Sequence, residues 1–459
     1  MPNRINVILF ITTLFLSLMV KFTTPVWTSF GDPYDYLQQS HESLSSKEFY
    51  FPTKRVNFYP RPFTVPLLYK VANSDPETII QLQKFFHALS TFFLCSVLLL
   101  FFKKEHSKYV FLFLWYLLMS WWNILGWTHT LISESLSISF MFLWIASFLL
   151  LFYKRTVFYI ILHIIITIFF SFTRDTWPYI LVLFYGIFAI IAIKWERKIL
   201  VSVISLLIIS CAVFVIQQKS AQIGQRYRLP IMNNIVFRIL PNEEYTVWFA
   251  NKGMPCIDQL KKQYSNLDDK QKIYPLYNDS TYSAFSDWVI KDGKSTYTKF
   301  LFTHPAKFLL IGEKSKDLKR IFAYNIGYTG NIKGYSWISQ YIFPLFNTIT
   351  ILILNGLLIF LFVKEKRLIW LFPSVTIIIF IANAFLLYIA DSLEVERHLF
   401  ITNIIIQFVG ILTASFILDS EYCNNSINKM KGKYLTFRKN TDLQEGKWNT
   451  DLTDVTDLN

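Results

Sequence analysis

The sequence predicts an all-α polytopic membrane protein with about ten transmembrane helices. Of its 459 residues, 53% are hydrophobic and 18% are aromatic, and the mean hydropathy is +0.37. Apolar runs of about 18 residues or more recur along the chain, which is the length that crosses a bilayer core. Short basic connectors alternate with connectors that are poor in lysine, as the loops of a multi-pass membrane protein do.

The hydrophobic runs define ten predicted spans. The first has one arginine before it and no small-residue cleavage pattern after it, so we expect a retained anchor rather than a removed signal. The predicted spans cover residues 5–22, 85–102, 109–125, 133–153, 157–173, 177–193, 199–216, 339–363, 368–390 and 398–418.

Charge in the connectors predicts the orientation. Four short connectors are basic, and the positive-inside rule places them in the cytoplasm together with both termini. A count of ten spans places all four basic connectors on the cytoplasmic side. A count of nine would break the alternation between cytoplasmic and outer connectors. We therefore expect a multi-pass protein of the cell membrane, specifically of a bacterial plasma membrane. The basic connectors are residues 103–108, 154–155, 194–198 and 364–367.

Four regions follow from this topology. We predict an N-terminal transmembrane module (1–216) with interfacial helices in its first outer loop (23–84), a mixed extracytoplasmic segment (217–338), C-terminal transmembrane helices (339–418) and a flexible cytoplasmic tail (419–459). Aromatic residues alternate with lysines over residues 285–319. This pattern predicts one or two amphipathic helices that lie on the membrane surface or cap the bundle.

The formal net charge is +14. Part of the excess sets topology, and the rest suits anionic lipid head groups or lipid-linked phosphates rather than nucleic acid. Four cysteines are present, at positions 95, 211, 256 and 423. No two of them share an aqueous compartment in the predicted topology, so neither a disulfide nor a metal site is expected.

A short acidic stretch, Gly31-Asp32-Pro33-Tyr34-Asp35-Tyr36-Leu37, follows the first predicted span. Its residue types fit a helix start, with Asp32 as N-cap, Pro33 as the first helical residue and Asp35 near the positive end of the helix dipole. The same geometry would hold a carboxylate at the membrane surface, where it can act as a general base. Both interpretations stay open on residue types alone.

The segment Tyr59–Leu68 contains three prolines and predicts an extended or turn-rich stretch before the second span. It serves either as a rigid linker or as the support for Arg61. The planar guanidinium of Arg61 can hold two oxygens of a phosphate or a sugar at once.

Ionisable residues also occupy the predicted outer ends of other spans. Such groups are rare at this depth and usually face a cavity or a partner. Glu134 has apolar neighbours and no adjacent basic residue, although it could also serve as an acid near the start of its helix. Local pairing of Arg174 with Asp175, and of Arg397 with Glu396 beside His398, is the competing structural interpretation.

Together these motifs resemble those of bacterial GT-C glycosyltransferases, which include relatives of the protein mannosyltransferases and aminoarabinose transferases. The opening loop of that family often reads Asp-Ser-x-x-Tyr and then Arg-x-Pro-Gly-Tyr-Pro-Leu. The equivalents here are Asp32-Pro33-Tyr34-Asp35-Tyr36 and Arg61-Pro62-Phe63-Thr64-Val65-Pro66-Leu67, without the Gly-Tyr pair. Ser133-Glu134 resembles the family's Thr-Glu. The likeness covers mainly the first 180 residues; in the family a soluble outer domain usually follows the last span.

The resemblance implies transfer of a sugar from a polyprenyl-phosphate donor to a hydroxyl of a lipid, glycan or protein acceptor, on the outer face of the membrane. Asp32 would be the general base, with Asp35 as the alternative. Arg61, Arg174 and Arg397 would stabilise the leaving phosphate, and Tyr36, Glu134 and His398 would complete the substrate site. No cofactor is certain; a divalent cation is compatible with this chemistry, but no ligand cluster in the sequence requires one.

Three alternatives remain at this stage. A cell-surface polysaccharide polymerase or ligase also combines many spans with a large late outer loop and phosphate-binding arginines. A flippase or transporter of lipid-linked sugars would need broken spans and an inverted repeat, of which the sequence has little sign. A structural membrane protein without catalytic activity is the third.

Overall fold

A computed structural model describes residues 32–55, 58–119, 122–154, 156–195, 197–264, 270–305, 348–390, 392 and 395–422. The secondary structure of these residues is helical, and the extended pairing among them is an isolated bridge between Arg55 and Phe58. The predicted anchor at 5–22 and the tail beyond residue 422 lie outside the described ranges.

The first loop forms short helices, as predicted. They are α1 (Asp32–Ser40), α2 (Lys47–Tyr50) and α3 (Thr64–Val71). Helix α1 begins at Asp32, one position before the predicted first helical residue. Residues 59–68 were predicted to be extended or turn-rich, and residues 59–63 lie outside the helices, but α3 begins at Thr64. Pro66 falls in its first turn, where a helix needs no backbone N–H donor.

Most of the remaining helices form an apolar bundle. Its helices are α4 (Pro76–Leu99), α5 (Glu105–Met119), α6 (Trp122–Leu125), α7 (Ser133–Tyr153), α8 (Val157–Ser171), α9 (Trp177–Trp195), α10 (Arg197–Ile223), α16 (Thr348–Glu365), α17 (Leu371–Ala390) and α18 (Val395–Asp419). Short 3-10 turns join some of them, at Gly126–His129 and Leu368–Trp370.

Six stretches of the described helices are long and apolar enough to cross a membrane: Pro76–Leu99, Ser133–Tyr153, Trp177–Trp195, Ile199–Ile223, Leu368–Ala390 and Leu399–Asp419. Val157–Ser171 is a shorter apolar helix. The chain is therefore compatible with a multi-pass membrane protein, whereas the number ten is not established by these helices.

Several helix boundaries differ from the predicted spans, and two helices extend well beyond them. Helix α4 begins at Pro76 rather than at residue 85, because the Asp75 side chain caps it by accepting the Thr78 N–H at 2.9 Å and Pro76 occupies its first turn. Helix α10 continues to Ile223 instead of ending at residue 216. Polar residues that the sequence analysis assigned to outer loops therefore extend the bundle helices.

The segment after α10 folds into short helices with a core of its own. These are α11 (Arg228–Asn234), α12 (Glu243–Ala250), α13 (Ile257–Tyr264), α14 (Ser283–Trp288) and α15 (Lys294–Thr303), with π-helical turns at Ile235–Ile239 and Val289–Gly293 and 3-10 turns at Lys270–Tyr277 and Ser280–Tyr282. We call residues 228–305 the cap segment.

The described part of the predicted amphipathic stretch faces the core of the cap segment. Trp288, Tyr297 and Phe300 are buried there, so their apolar surface does not face lipid. The Tyr297 hydroxyl donates to the carbonyl of Ile389 at 2.9 Å, which satisfies one of the unpaired carbonyls at the end of α17. Of the two predicted arrangements, the one in which these helices cap the bundle is supported.

The end of the bundle that carries residues 32–75 and the cap segment is called the loop end here. At the opposite end, Asp419, the last residue of α18, bonds to the two connectors that follow α4 and α16. Its carboxylate accepts the backbone N–H groups of Lys103 and Lys104 at 2.9 and 2.8 Å and the Arg367 Nη1 at 2.8 Å. The Asp419 side chain is fully buried, so this contact is a structural lock between α4, α16 and α18.

Candidate functional site

Asp35 and Arg61 form the centre of the candidate site at the loop end. Asp35 Oδ2 accepts from Arg61 Nη2 at 2.9 Å and from Nε at 3.3 Å, and Asp35 Oδ1 accepts the backbone N–H of Tyr59 at 2.9 Å. The Asp35 side chain is 5% exposed and that of Arg61 is 25% exposed. Both carboxylate oxygens are thus engaged, while part of the guanidinium reaches solvent.

Gln39, on the next turn of α1, holds the backbone of this segment. Its amide nitrogen donates to the carbonyls of Phe49 and Arg61 at 2.9 and 3.0 Å, and its amide oxygen accepts the Arg61 N–H at 3.0 Å. Because Gln39 is fully buried, these bonds are shielded from water and keep Arg61 against α1.

Tyr36 has a packing role beside the ion pair. Its ring is buried and meets Tyr69 edge-to-face, with ring centroids 5.8 Å apart. The Arg61 guanidinium lies over the same ring, 5.5 Å from its centroid. The ring of Tyr36, which the sequence predicted to touch substrate, packs against the Arg61 guanidinium in this structure.

Two further basic residues lie near this pair. Burial and the nearby charge of Arg228 lower the pKa of Lys54 to about 8, with a smaller opposing effect from Asp35. The Lys54 ammonium also lies over the Tyr59 ring, 3.8 Å from its centroid. We call Lys54, Tyr59, Arg61 and Arg228 the basic cluster.

The basic cluster has buried donors without a partner. The Tyr59 hydroxyl and the Arg228 Nε have no hydrogen-bond partner among the residues that the structure describes, although Arg228 Nη2 donates to the Tyr277 carbonyl at 2.8 Å. Burial raises the pKa of Tyr59, so its hydroxyl stays protonated at neutral pH. Buried donors normally have acceptors, and an oxyanion would provide them here.

Contacts with the bundle fix the position of this loop. Thr64 Oγ1 donates to the Phe169 carbonyl at 2.9 Å, and the Phe63 ring lies tilted against that of Phe172, with ring centroids 4.6 Å apart. Gly224, just after α10, lies against Pro60 so closely that a Cβ there would be 2.9 Å from the proline Cβ. The ends of α8 and α10 therefore determine where Arg61 and Tyr59 lie.

Glu134 and Arg174 meet at the same end of the bundle. Glu134 Oε1 lies 3.6 Å from Arg174 Nη2, with side-chain exposures of 0% and 10%. Of the two interpretations left open for Arg174, local pairing with its neighbour Asp175 is not the arrangement found. Asp175 turns the other way, toward Arg226, whose Nε and Nη2 lie 3.1 and 2.9 Å from Asp175 Oδ1.

Other predicted site residues are less fully described. Asp32 opens α1, and Arg397 and His398 lie in the first turn of α18, but these three side chains are outside the described part of the structure. Among the described residues, no group of three or more His, Cys, Asp or Glu is arranged to hold a metal ion. The cysteines at 95, 211 and 256 are unpaired, and Cys423 lies outside the described ranges.

Three members of the basic cluster were not predicted as site residues from the sequence: Lys54, Tyr59 as a hydrogen-bond donor, and Arg228. Lys54 precedes the proline-rich segment that drew attention to Arg61, so it could have been included as a second cation of that segment. Arg228 comes from the cap segment and had no sequence signal, because only folding brings it near the first loop.

The site combines a carboxylate, three cations and a phenol at the loop end. It can bind an oxyanion through charge-assisted hydrogen bonds, next to an aspartate that opens α1. No family model, curated protein or solved structure matches this chain.

Proposed function

We propose that this chain is a membrane glycosyltransferase of the GT-C type. It transfers a sugar from a polyprenyl-phosphate donor to an acceptor hydroxyl at the loop end, on the outer face of the membrane. The observation that carries the proposal is the basic cluster, in which buried donors that have no partner among the described residues lie near an engaged carboxylate. A leaving phosphate requires such a site.

Asp32 is the proposed general base, and Asp35 is a positioning residue. Both oxygens of Asp35 already accept hydrogen bonds, so this carboxylate is less available to accept a proton from a substrate than an unengaged one would be. Asp32 lies on α1 about one turn earlier, and residues three apart share a helix face. The resemblance to GT-C enzymes assigns the base role to the same residue.

The proposed reaction is a single displacement. Asp32 takes the proton of the acceptor hydroxyl while the acceptor oxygen forms a bond to the anomeric carbon of the sugar. The bond between that carbon and the phosphate oxygen breaks, and polyprenyl phosphate leaves with the electron pair. Arg61, Lys54 and Arg228 stabilise the negative charge that develops on the leaving phosphate, and the Tyr59 hydroxyl donates to one of its oxygens.

Sugar transfer by the purified full-length protein in detergent tests this proposal, with polyprenyl-phosphate sugars as donors and a panel of lipid, glycan and peptide acceptors. We expect Asp32→Asn to abolish transfer while the thermal unfolding midpoint stays close to that of the native chain. Glu77→Gln is the matched control, because Glu77 is an exposed acid at the same end outside the site. Full transfer by Asp32→Asn would contradict the assignment of the base.

A polysaccharide polymerase or ligase is the second candidate. One observation favours it: Arg226 and Arg228 belong to the large region between α10 and α16. Such enzymes combine a large late loop with arginines that bind phosphate. That function would tolerate Asp32→Asn and Asp35→Asn and would be lost with Arg174→Ala or Arg397→Ala. A flippase would show no transfer in detergent at all, since its activity requires two membrane sides.

A further inference from the structure

A second polar group lies inside the bundle, away from the basic cluster. Gln83, Lys84 and His87 occupy one face of α4, at spacings that bring their side chains together on a helix. Their exposures are 1%, 7% and 4%. Ionisable and amide side chains are rare in an apolar helix of this kind and usually mark a ligand or a partner.

These side chains have no partner in the part of the chain that the structure describes. Neither amide atom of Gln83 and neither ring nitrogen of His87 has a hydrogen bond, and Lys84 has no ion pair or hydrogen bond there. A buried polar group without a partner costs about 1–3 kcal/mol, and a charged one costs more. Two such side chains on one face, with the lysine Lys84 between them, are therefore expected to serve a ligand.

Helix α7 packs against α4 and carries a buried hydroxyl on the side that faces α4. The Phe142 ring lies 6.3 Å from that of His87, so the side of α7 that carries Phe142 faces α4. Ser135 lies on the same side of α7, because it is seven residues, or about two turns, before Phe142 and nearer the loop end. Its hydroxyl is fully buried and has no partner among the described residues, as is the case for the α4 side chains.

Lys84 supplies the charge of this group. His129, on the turn before α7, is close enough to Lys84 that burial together with the lysine charge lowers its pKa to about 4, so it is neutral at pH 7. The nearest carboxylate on α7, that of Glu134, is within 3.6 Å of Arg174. Lys84 therefore remains without a compensating anion.

We infer that Gln83, Lys84, His87 and Ser135 form a second oxyanion site, which binds a phosphate group at the loop end of the α4–α7 interface. Lys84 supplies the charge, and the amide, imidazole and hydroxyl supply neutral donors in a water-poor setting where each hydrogen bond is strengthened. The phosphate belongs either to a lipid head group or to a free phosphate. This site is independent of the proposed transferase reaction and of the basic cluster.

Ligand-dependent thermal unfolding of the full chain in a neutral detergent tests this site. The probes are dioctanoyl phosphatidic acid, dioctanoylglycerol, which lacks only the phosphate, and inorganic phosphate. We expect a saturable rise of the unfolding midpoint with phosphatidic acid and none with dioctanoylglycerol. A rise with inorganic phosphate as well identifies a site for free oxyanions, whereas a response to phosphatidic acid alone identifies a lipid head group.

Variants assign the response to these residues. Lys84→Met should weaken the apparent affinity at least about tenfold, because a hydrogen bond to a charged group is lost. Lys299→Met, at an exposed position of α15, should bind as the native chain does. Lys54→Met, which removes a cation of the basic cluster, should also keep the response.

The ligand-free proteins provide a check on folding. Lys84→Met removes a buried charge without a partner, so its ligand-free midpoint should equal or exceed that of the native chain. Gln83→Leu serves as a second variant with the same expected loss of affinity. The proposal is overturned if no probe gives a saturable rise, or if both folded variants bind phosphatidic acid as tightly as the native chain.

Discussion

Glu134 and Arg174 lie 3.6 Å apart, between Oε1 and Nη2, on the turns that open α7 and α9. Arg174 does not pair with its chain neighbour Asp175. The Asp175 carboxylate is instead bound by Arg226. The pair is nearly excluded from water. It connects the first turn of α7 with the turn that precedes α9. The predictions that follow concern this pair and three other contacts.

Glu134→Gln should destabilise the protein by about 2–4 kcal/mol, because it leaves the Arg174 guanidinium buried without its counter-charge. Thermal unfolding in detergent measures the change. In a double-mutant cycle with Arg174→Met, the second substitution should recover a large part of the loss. Strictly additive effects of the two substitutions would contradict direct coupling.

Lys54 should make phosphate binding at the basic cluster depend on pH. With a pKa of about 8, the ammonium is charged at pH 7 and largely neutral at pH 9, so affinity for a polyprenyl phosphate should fall across this range by about tenfold. Lys54→Arg should flatten this profile, because a guanidinium stays charged. Isothermal titration between pH 6.5 and 9.5 measures both proteins, and an identical inflection in the two would exclude Lys54 as its source.

The same shift has a consequence for stability. The folded pKa of Lys54 is lower than the unfolded value, so between about pH 8 and about pH 10.5 the unfolded chain binds more protons. The free energy of unfolding therefore receives a contribution that rises with pH in this window. Lys54→Met should remove this contribution, which is visible as a difference between the two pH–stability curves.

Asp419→Asn should weaken the lock at the end opposite the loops by about 2–3 kcal/mol, because the buried carboxylate accepts two backbone N–H groups and pairs with Arg367. Glu421→Gln is the matched control. Glu421 pairs with Lys103 at 3.0 Å, but both side chains are more than half exposed, and exposed pairs contribute little. Equal losses in the two variants would contradict the distinction.

Gly224→Ala should displace the first loop. A Cβ at this position would lie 2.9 Å from Pro60 Cβ and 3.2 Å from the Pro52 carbonyl oxygen, so residues 52–60 must move and Tyr59 must move with them. We expect a loss of sugar transfer of about tenfold or more, since small displacements of a positioned group are costly. Gly186→Ala, in α9, meets nothing within 4 Å and should leave transfer unchanged.

The helical class and most of the bundle could be predicted because helix formation in apolar runs is a local property. The runs near residues 133–153, 177–193 and 368–390 appear as α7, α9 and α17 almost unchanged. The start of α4 was misplaced because hydropathy marks only the apolar part of a helix. Asp75 and Pro76, which cap it, are polar or small and lie outside that run.

The candidate site was predicted only in part. Asp35, Arg61, Glu134 and Arg174 were selected from residue types and position, and the structure brings them into two ion pairs. Their partners were not predicted, because the pairing of charges depends on distance through space and Arg61 lies 26 positions along the chain from Asp35. Lys54 and Arg228 were not predicted as site residues, because their proximity to Arg61 likewise depends on distance through space.

The amino-acid sequence alone determined that this chain is helical and rich in membrane-length apolar segments, because the thickness of a bilayer acts on each segment separately. Only the tertiary structure decided which charges meet, which donors remain without acceptors and where the cap segment lies. Those properties depend on distances and on exclusion of water, which arise when separate helices pack together.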